Sequence, residues 1–181
     1  ADVSAKLEPI KLVVLDVDGV LTDGSLIYSG DGEDRKRFSV RDGLAIRLLL
    51  RAGIQVGVIS GRSSEAVITR CSELGVRSEL IVVGSSDKPA DLDRMEDLLQ
   101  ISDSEVAAMG DDLPDLPLLA RAAFAACPTD AAPEVIAACD LVCGAEGGRG
   151  AVRELAEVVL KGQGRWIELV SDWLTPGMQR G

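Results

Sequence analysis

The sequence contains no histidine, and this absence excludes several kinds of chemistry. An imidazole general base, a zinc site with histidine ligands and a phosphohistidine carrier all require that side chain. Any catalysis by this chain must therefore use carboxylates, lysine, hydroxyls or thiols.

Long apolar runs and an excess of basic charge are also missing. No uninterrupted apolar stretch is long enough to span a bilayer. The 30 Asp and Glu residues outnumber the 19 Lys and Arg residues, which gives a formal net charge of −11. Sequence-independent nucleic-acid binding depends on Lys and Arg that neutralise phosphates. We therefore expect one globular domain over residues 1–181, with neither nucleic acid nor a membrane among its partners.

The cysteines show no C-x-x-C spacing, and no segment with a signal-peptide pattern precedes them. There are four of them: Cys71, Cys127, Cys139 and Cys143. Cysteines in this pattern are typical of buried free thiols in a reducing compartment. We expect reduced thiols and a cytoplasmic protein, rather than disulfides or a metal site.

Apolar, β-branched runs alternate with helical periodicity along most of the chain. The pattern predicts an α/β fold with a Rossmann-like, doubly wound and mainly parallel sheet. The predicted strands cover residues 11–16, 54–60, 79–83, 106–110, 124–126 and 141–143. The predicted helices cover residues 43–52, 64–74, 90–100, 116–122, 133–138 and 151–160.

Two segments depart from this alternation. Residues 25–40 carry Ser29-Gly30-Asp31-Gly32 between stretches of mixed polarity, which predicts a β-hairpin inserted after the first strand. The last residues, 174–181, contain Pro-Gly and polar side chains and predict a mobile tail.

Two aspartates follow the first predicted strand, in Asp16-Val17-Asp18-Gly19. Because successive side chains of a strand alternate, residues i and i+2 start from the same side. The carboxyl ends of strands are where open α/β sheets place their sites. The pair predicts a catalytic centre; solvated turn aspartates are the alternative.

Further polar groups follow later strands at the same sheet edge. Ser60 precedes Gly61-Arg62, where a hydroxyl and backbone amides at a helix start suit a phosphate. Lys88 could neutralise phosphoryl charge, and Asp111, Asp112 and Asp115 suit a hard divalent cation. Each has a structural alternative, namely a helix cap for Ser60 and the acids, and a solvated side chain for Lys88.

The order of these motifs resembles the haloacid dehalogenase superfamily of aspartate-nucleophile phosphatases. Within it, the chain resembles the capless 3-deoxy-D-manno-octulosonate 8-phosphate (KDO 8-phosphate) phosphatases. The segments that carry this resemblance are Asp16-Val17-Asp18-Gly19-Val20-Leu21-Thr22-Asp23-Gly24, Phe38-Ser39-Val40-Arg41-Asp42-Gly43, Ser60-Gly61-Arg62, Arg70-Cys71 with Leu74-Gly75, and Gly147-Gly148-Arg149-Gly150-Ala151-Val152-Arg153-Glu154.

The resemblance implies a role for each strand-end residue. Asp16 would attack phosphorus to form an aspartyl-phosphate, and Asp18 would protonate the departing oxygen and later deprotonate water. Mg²⁺ would be held by the Asp16 carboxylate, the Asp18 main-chain carbonyl and Asp111. Ser60 and Lys88 would hold the transferring phosphoryl group. Asp112 or Asp115 would orient the metal ligands or Lys88.

The resemblance also implies the substrate contacts and the assembly. A keto-sugar acid carries a carboxylate that guanidinium groups can bind bidentately. The implied substrate contacts are Asp18, Ser39, Val40, Arg41, Asp42, Gly43, Arg47, Arg62, Arg70 and Lys88. Because no large cap is present, a homotetramer would supply a lid from a neighbouring subunit, with Leu26, Ile27 and Tyr28 of the hairpin in the interface or, alternatively, packed locally.

Other functions stay open at this stage. Residues 82–87 contain Gly84, but they lack the aromatic residue and the glutamine that family members commonly place around this glycine. A nonulosonate 9-phosphate phosphatase is therefore the main alternative, followed by a phosphatase for another small phosphate or a phosphoprotein. A catalytically silent oligomerisation module is the alternative from a different class, and the intact set of acids and Lys88 argues against it.

Overall fold

A computed structural model describes residues 3–30 and 34–174. Six strands form one sheet: β1 (Leu12–Leu15), β4 (Gln55–Ser60), β5 (Ile81–Val83), β6 (Val106–Met109), β7 (Phe124–Cys127) and β8 (Leu141–Val142). Their order is β5-β4-β1-β6-β7-β8, and every neighbouring pair is parallel. Two further strands, β2 (Ile27–Tyr28) and β3 (Asp34–Arg35), pair antiparallel as a hairpin. The predicted α/β fold with an inserted hairpin is thus confirmed.

Eight α-helices accompany the strands in the described part of the chain. They are α1 (Val3–Leu7), α2 (Val40–Arg51), α3 (Glu65–Leu74), α4 (Lys88–Leu99), α5 (Leu116–Leu119), α6 (Pro133–Ala138), α7 (Ala151–Gly162) and α8 (Trp166–Leu174). No helix among the described residues is both long enough and apolar enough to cross a membrane.

Strand β1 lies at the centre of the sheet and of the core. Its four residues are completely buried, and Leu12 is in register with Gln55 on one side and Val106 on the other. Burial on both faces explains why this strand is continuously apolar. The chain passes from β1 outward to β4 and β5, and then returns to β6 on the other side of β1. The topology therefore reverses at β1, which places a crevice at its carboxyl end.

Helix boundaries differ from the prediction where a capping residue was not recognised. Helix α2 begins at Val40 instead of residue 43, because the Ser39 hydroxyl accepts a hydrogen bond from the Asp42 amide. Helix α4 begins at Lys88, because the Asp87 carboxylate accepts from the Ala90 amide at 3.0 Å. Lys88 is therefore held on the first turn of a helix.

Two terminal helices were not predicted. Helix α1 packs against the end of α7, where a Cβ on Gly162 would lie 2.6 Å from a Leu7 methyl carbon. Helix α8 includes Trp166, whose ring lies beneath Arg153 and Lys161 at 5.2 and 5.3 Å. The predicted tail overlaps α8 at Leu174, and its other residues, 175–181, lie outside the described residues.

All four cysteines are free, as the sequence predicted. Three are buried, and Cys139 is half-buried. Burial raises the pKa of the Cys71 thiol to about 11 and that of Cys143 to about 12. These thiols are packing groups with low nucleophilicity.

Candidate active site

A tight turn positions Asp16 and Asp18 at the carboxyl end of β1. The Asp16 amide donates to the Met109 carbonyl at 3.0 Å, which extends the β1–β6 pairing by one residue. Gly19 follows with a φ of +88°, and a Cβ there would lie 2.0 Å from Asp111 Oδ2. Only glycine allows the chain to turn so close to this carboxylate. The Asp16 side chain is consequently buried, while Asp18 is half-buried at the surface of the turn.

Lys88 joins two of the strand-end acids. Its ammonium donates to Asp16 Oδ1 at 2.7 Å and to Asp115 Oδ1 at 2.6 Å. The second oxygen of Asp115 accepts from the amides of Asp111 and Asp112, at 2.9 and 3.3 Å. Asp115 thus fixes both Lys88 and the backbone that carries Asp111. Of the two acids expected to orient the metal ligands or Lys88, Asp115 is the one in contact with Lys88.

Three acidic side chains converge beside Lys88. Asp16, Asp111 and Asp115 each offer a carboxylate oxygen within 4.8 Å of the other two. Burial, followed by the nearby Asp115 charge and opposed by Lys88, raises the pKa of Asp16 to about 6. Burial and the charges of Asp16 and Asp115 raise the pKa of Asp111 to about 8. A divalent cation relieves such repulsion, and the all-oxygen donor set fits Mg²⁺.

Ser60 ends β4 with its side chain buried. Its hydroxyl accepts a hydrogen bond from the Arg62 amide at 3.2 Å, and its carbonyl accepts from the Ser85 amide at 2.8 Å. It does not cap α3, whose N-cap position is occupied by Ser64. Ser60 therefore shapes the loop that presents Gly61 and the exposed Arg62.

An open cleft of about 310 Å³ connects these groups. Its lining includes seven residues that were predicted as site residues from the sequence: Asp16, Asp18, Arg62, Lys88, Asp111, Asp112 and Asp115. Gly24, Gly61 and Pro114 complete the lining. The structure thus gathers carboxylates, one ammonium and one guanidinium at the sheet edge where the sequence placed them.

Other predicted substrate contacts lie outside this cleft. Asp42 is buried, and its two carboxylate oxygens accept from the amides of Gly150 and Arg153 at 3.3 and 3.0 Å. This places it at the start of α7, where a carboxylate favours the helix N-terminus. Val40 and Arg41 are exposed on the first turn of α2.

The two arginines beside α2 and α3 also lie apart from the cleft. Gly43 leaves room for Arg70, since a Cβ there would lie 2.4 Å from Arg70 Nη2. Arg70 pairs with Glu73 at 3.6 Å, and the exposed Arg47 donates to the Glu73 carbonyl at 3.2 Å. Within one chain these arginines are anchored to α3 and do not line the cleft.

The glycine-rich segment before α7 packs against the backbone of the turn that follows β1 and carries Asp16 and Asp18. The Gly148 amide donates to the Val20 carbonyl at 2.9 Å. A Cβ on Gly147 would lie 1.8 Å from the Gly19 carbonyl oxygen, and Gly148 has a φ of +69°. These two glycines are required by close backbone contact.

Lys36 of the hairpin segment contacts a predicted site residue but was not itself predicted from the sequence. Its ammonium lies 2.7 Å from Asp18 Oδ1, and its side chain is only 1% exposed. A lysine within a polar hairpin resembles any solvated charge, so the sequence carried no signal for this contact.

Comparisons with known proteins agree with this geometry. Residues 78–155 match the model of the haloacid dehalogenase-like hydrolase family. The chain is 41% identical over 168 residues to the 3-deoxy-D-manno-octulosonate 8-phosphate phosphatase KdsC of Escherichia coli, covering 93% of this chain and 88% of that protein. It is 43% identical over 165 residues to KdsC of Haemophilus influenzae, covering 88% of each.

A solved structure superposes closely on the whole fold. It is the 3-deoxy-D-manno-octulosonate 8-phosphate phosphatase of Moraxella catarrhalis in complex with magnesium ion, phosphate ion and KDO. The TM-score is 0.90 at 38% identity, over 94% of this chain and 97% of that chain.

Proposed function

The chain belongs to the haloacid dehalogenase-like 3-deoxy-D-manno-octulosonate 8-phosphate phosphatases, and from this membership we propose that it hydrolyses KDO 8-phosphate to KDO and inorganic phosphate. The observation that carries this proposal is the cleft in which Lys88 joins Asp16 to Asp115 beside Asp111. The alternative of a nonulosonate 9-phosphate substrate is not favoured, since the matched relatives are named for the eight-carbon acid.

Mg²⁺ is the cofactor, and the donor set fits it. Asp16 and Asp111 provide carboxylate oxygens, and we assign the main-chain carbonyl of Asp18 as a third ligand. Asp115 lies within the same cluster, but its oxygens already accept from Lys88 and two amides. When bound, Mg²⁺ neutralises charge on the phosphoryl group that is transferred.

The side chains of the cleft divide the reaction between them. The Asp16 carboxylate attacks phosphorus as the bond to the sugar oxygen breaks, which forms an aspartyl-phosphate. Asp18 gives its proton to the departing sugar oxygen and later takes a proton from the water that hydrolyses the aspartyl-phosphate. Lys88, on the first turn of α4, holds Asp16 in place and offsets the phosphoryl charge, which is the main task in phosphoryl transfer.

Recognition of the sugar acid is assigned to cationic groups. Arg62 lines the cleft and offers a planar guanidinium to the substrate carboxylate. The Ser60 hydroxyl is proposed to contact the phosphoryl group after a rearrangement of its loop, because it is buried in the present conformation. The other predicted substrate contacts do not line the cleft within one chain. They are residues 39–43, Arg47 and Arg70, and they would reach the substrate only in the presence of a neighbouring copy or through a sugar that extends beyond the cleft.

The assembly is proposed to be a homotetramer in the cytoplasm. Leu26, Ile27 and Tyr28 of the hairpin are exposed, at 42%, 46% and 73%. Local packing does not bury them in one chain, so an intersubunit contact is the role that their apolar surface supports. Four free thiols are in keeping with a reducing compartment. There the product would enter lipopolysaccharide biosynthesis.

Phosphate release from KDO 8-phosphate tests the proposed function. The metal is removed with EDTA, and Mg²⁺ is then titrated into the purified protein. We expect no turnover without the metal and full recovery on its addition. Undetectable hydrolysis at saturating Mg²⁺ contradicts the substrate assignment, and turnover in EDTA contradicts the role of the acidic cluster.

A further inference from the structure

We propose that Lys36 is a positioning residue that holds Asp18 for proton transfer to the leaving oxygen. This inference rests on the proposed function, in which Asp18 is the general acid. Lys36 would give the hairpin segment a role in catalysis in addition to any intersubunit contact. Of the two aspartates that follow β1, Asp16 then pairs with Lys88, which it shares with Asp115, and Asp18 pairs with Lys36.

The contact has the geometry of a strong charge-assisted hydrogen bond. The Lys36 ammonium lies 2.7 Å from Asp18 Oδ1, and the side chains are 1% and 23% exposed. An ammonium withdrawn from water to this extent is costly unless it is paired. A long, flexible side chain on a hairpin is therefore directed inward to the acid instead of outward to solvent.

Neighbouring contacts fix the segment that carries Lys36. The next residue, Arg37, donates to Asp23 Oδ2 at 2.9 Å and ties the segment to the end of the catalytic turn. Phe38 then packs against the hydrophobic core. Lys36 thus reaches Asp18 from a backbone that is anchored immediately after it.

The pairing leaves one carboxyl oxygen of Asp18 for chemistry. Lys36 occupies Oδ1, so Oδ2 is the oxygen available to carry the proton into the cleft that Asp18 lines. As the phosphorus–oxygen bond breaks, this proton passes to the sugar oxygen, and Asp18 becomes a carboxylate paired with Lys36. The same oxygen recovers a proton from the water that attacks the aspartyl-phosphate. A displacement of about 1 Å of such a group lowers rates roughly 10²-fold.

Leaving-group dependence separates this role from a structural one. KDO 8-phosphate releases an alkoxide that needs a proton, whereas p-nitrophenyl phosphate releases a phenolate that does not. For Lys36→Met we expect kcat on KDO 8-phosphate to fall by roughly 10²-fold with little change in KM, since general acids contribute about 10²–10⁴-fold. The kcat/KM on the aryl phosphate should stay within about threefold of wild type, because kcat/KM covers the steps up to release of the phenolate, which needs no proton, and not the later hydrolysis of the aspartyl-phosphate.

Two further variants complete the test. Arg35→Met removes a neighbouring cation of the hairpin segment, which is exposed on β3, and should leave both rates near wild type. Lys36→Arg retains a donor and should recover part of the lost kcat.

Three results for Lys36→Met would overturn the inference: equal losses of kcat/KM on both substrates, a rise in KM at unchanged kcat on KDO 8-phosphate, or wild-type rates throughout. Absence of hydrolysis by the wild-type protein would instead overturn the proposed function, and the inference with it.

Discussion

At the scale of single residues, the site consists of closely spaced carboxylates that accept hydrogen bonds from an ammonium and from backbone amides. Asp115 lies between Lys88 and two backbone amides, and Asp16 shares the same ammonium. Buried carboxylates so close together are unfavourable without such partners. Burial, followed by the charges of Asp16 and Asp115, raises the pKa of Asp111, and a cation bound beside it would favour the carboxylate form.

Replacement of Asp16, the proposed nucleophile, should abolish turnover while the fold is retained. Asp16→Asn keeps the shape of the side chain and removes the attacking oxygen anion. We expect the kcat for KDO 8-phosphate to fall by about 10³-fold or more. Thermal unfolding followed by circular dichroism provides the control and should show a folded protein. Retention of wild-type activity would contradict the covalent route.

Asp42 should affect stability, because its carboxylate caps α7. Asp42→Ala leaves the amides of Gly150 and Arg153 without their acceptor, and we expect the free energy of unfolding to fall by about 1–3 kcal/mol. Urea denaturation measures this change. Asp97→Ala, at an exposed position of α4, is the matched control and should change stability by less than about 0.5 kcal/mol. A stability of Asp42→Ala equal to that of the control would contradict the capping role.

At the scale of elements, helix α4 carries Lys88 in its first turn and also contributes acids to a charged cluster around Arg121. Arg121 contacts Asp93, Glu96 and Asp103, and it also donates to the Pro89 carbonyl at 3.0 Å. Pro89 follows Lys88 in the first turn of α4, so this contact helps to fix the helix end that presents the active-site ammonium.

The cluster predicts a pH dependence of stability. Burial, followed by contact with Asp103, raises the pKa of Glu96 from 4.5 to about 7. A raised carboxyl pKa favours the protonated form in the folded state, so its stabilising contribution is complete below pH 4.5 and is lost as the pH rises to about 7. The difference in unfolding free energy between wild type and Glu96→Gln should therefore decrease over this range. A constant difference from pH 4.5 to 7 would contradict the raised pKa.

The sequence predicted elements well where a local rule decides them. The apolar run of β1, the acids after it and the glycine turn follow from burial, alternation and backbone conformation. The contact of Lys36 with Asp18 and the capping of α7 by Asp42 connect residues far apart in the chain. Such contacts depend on tertiary packing, so Asp42 was predicted as a substrate contact while its capping role was missed.

At the scale of the whole molecule, one chain leaves its cleft open. The cleft lies at the reversal of strand order, and the described residues place no cap domain over it. The exposed apolar residues of the hairpin lie on the segment that also supplies Lys36. A neighbouring subunit that bound at the hairpin would therefore couple assembly to the geometry around Asp18.

Assembly through the hairpin is tested by mass in solution. Light scattering should give a mass close to four times the chain mass of 19.0 kDa. Tyr28→Glu places a charge on the exposed apolar surface and should shift the mass toward smaller species. A wild-type mass equal to that of one chain would contradict the tetramer.

The cleft is proposed to act on an eight-carbon sugar-acid phosphate. Phosphate release, with Mg²⁺, from KDO 8-phosphate, nonulosonate 9-phosphates and common hexose phosphates tests this substrate choice, with Asp16→Asn as the blank. We expect a kcat/KM for KDO 8-phosphate at least about tenfold above that for every other substrate, since a tenfold preference corresponds to about 1.4 kcal/mol of transition-state binding. A higher kcat/KM for a nonulosonate 9-phosphate, or uniform weak activity on all the substrates, would rule out KDO 8-phosphate as the preferred substrate.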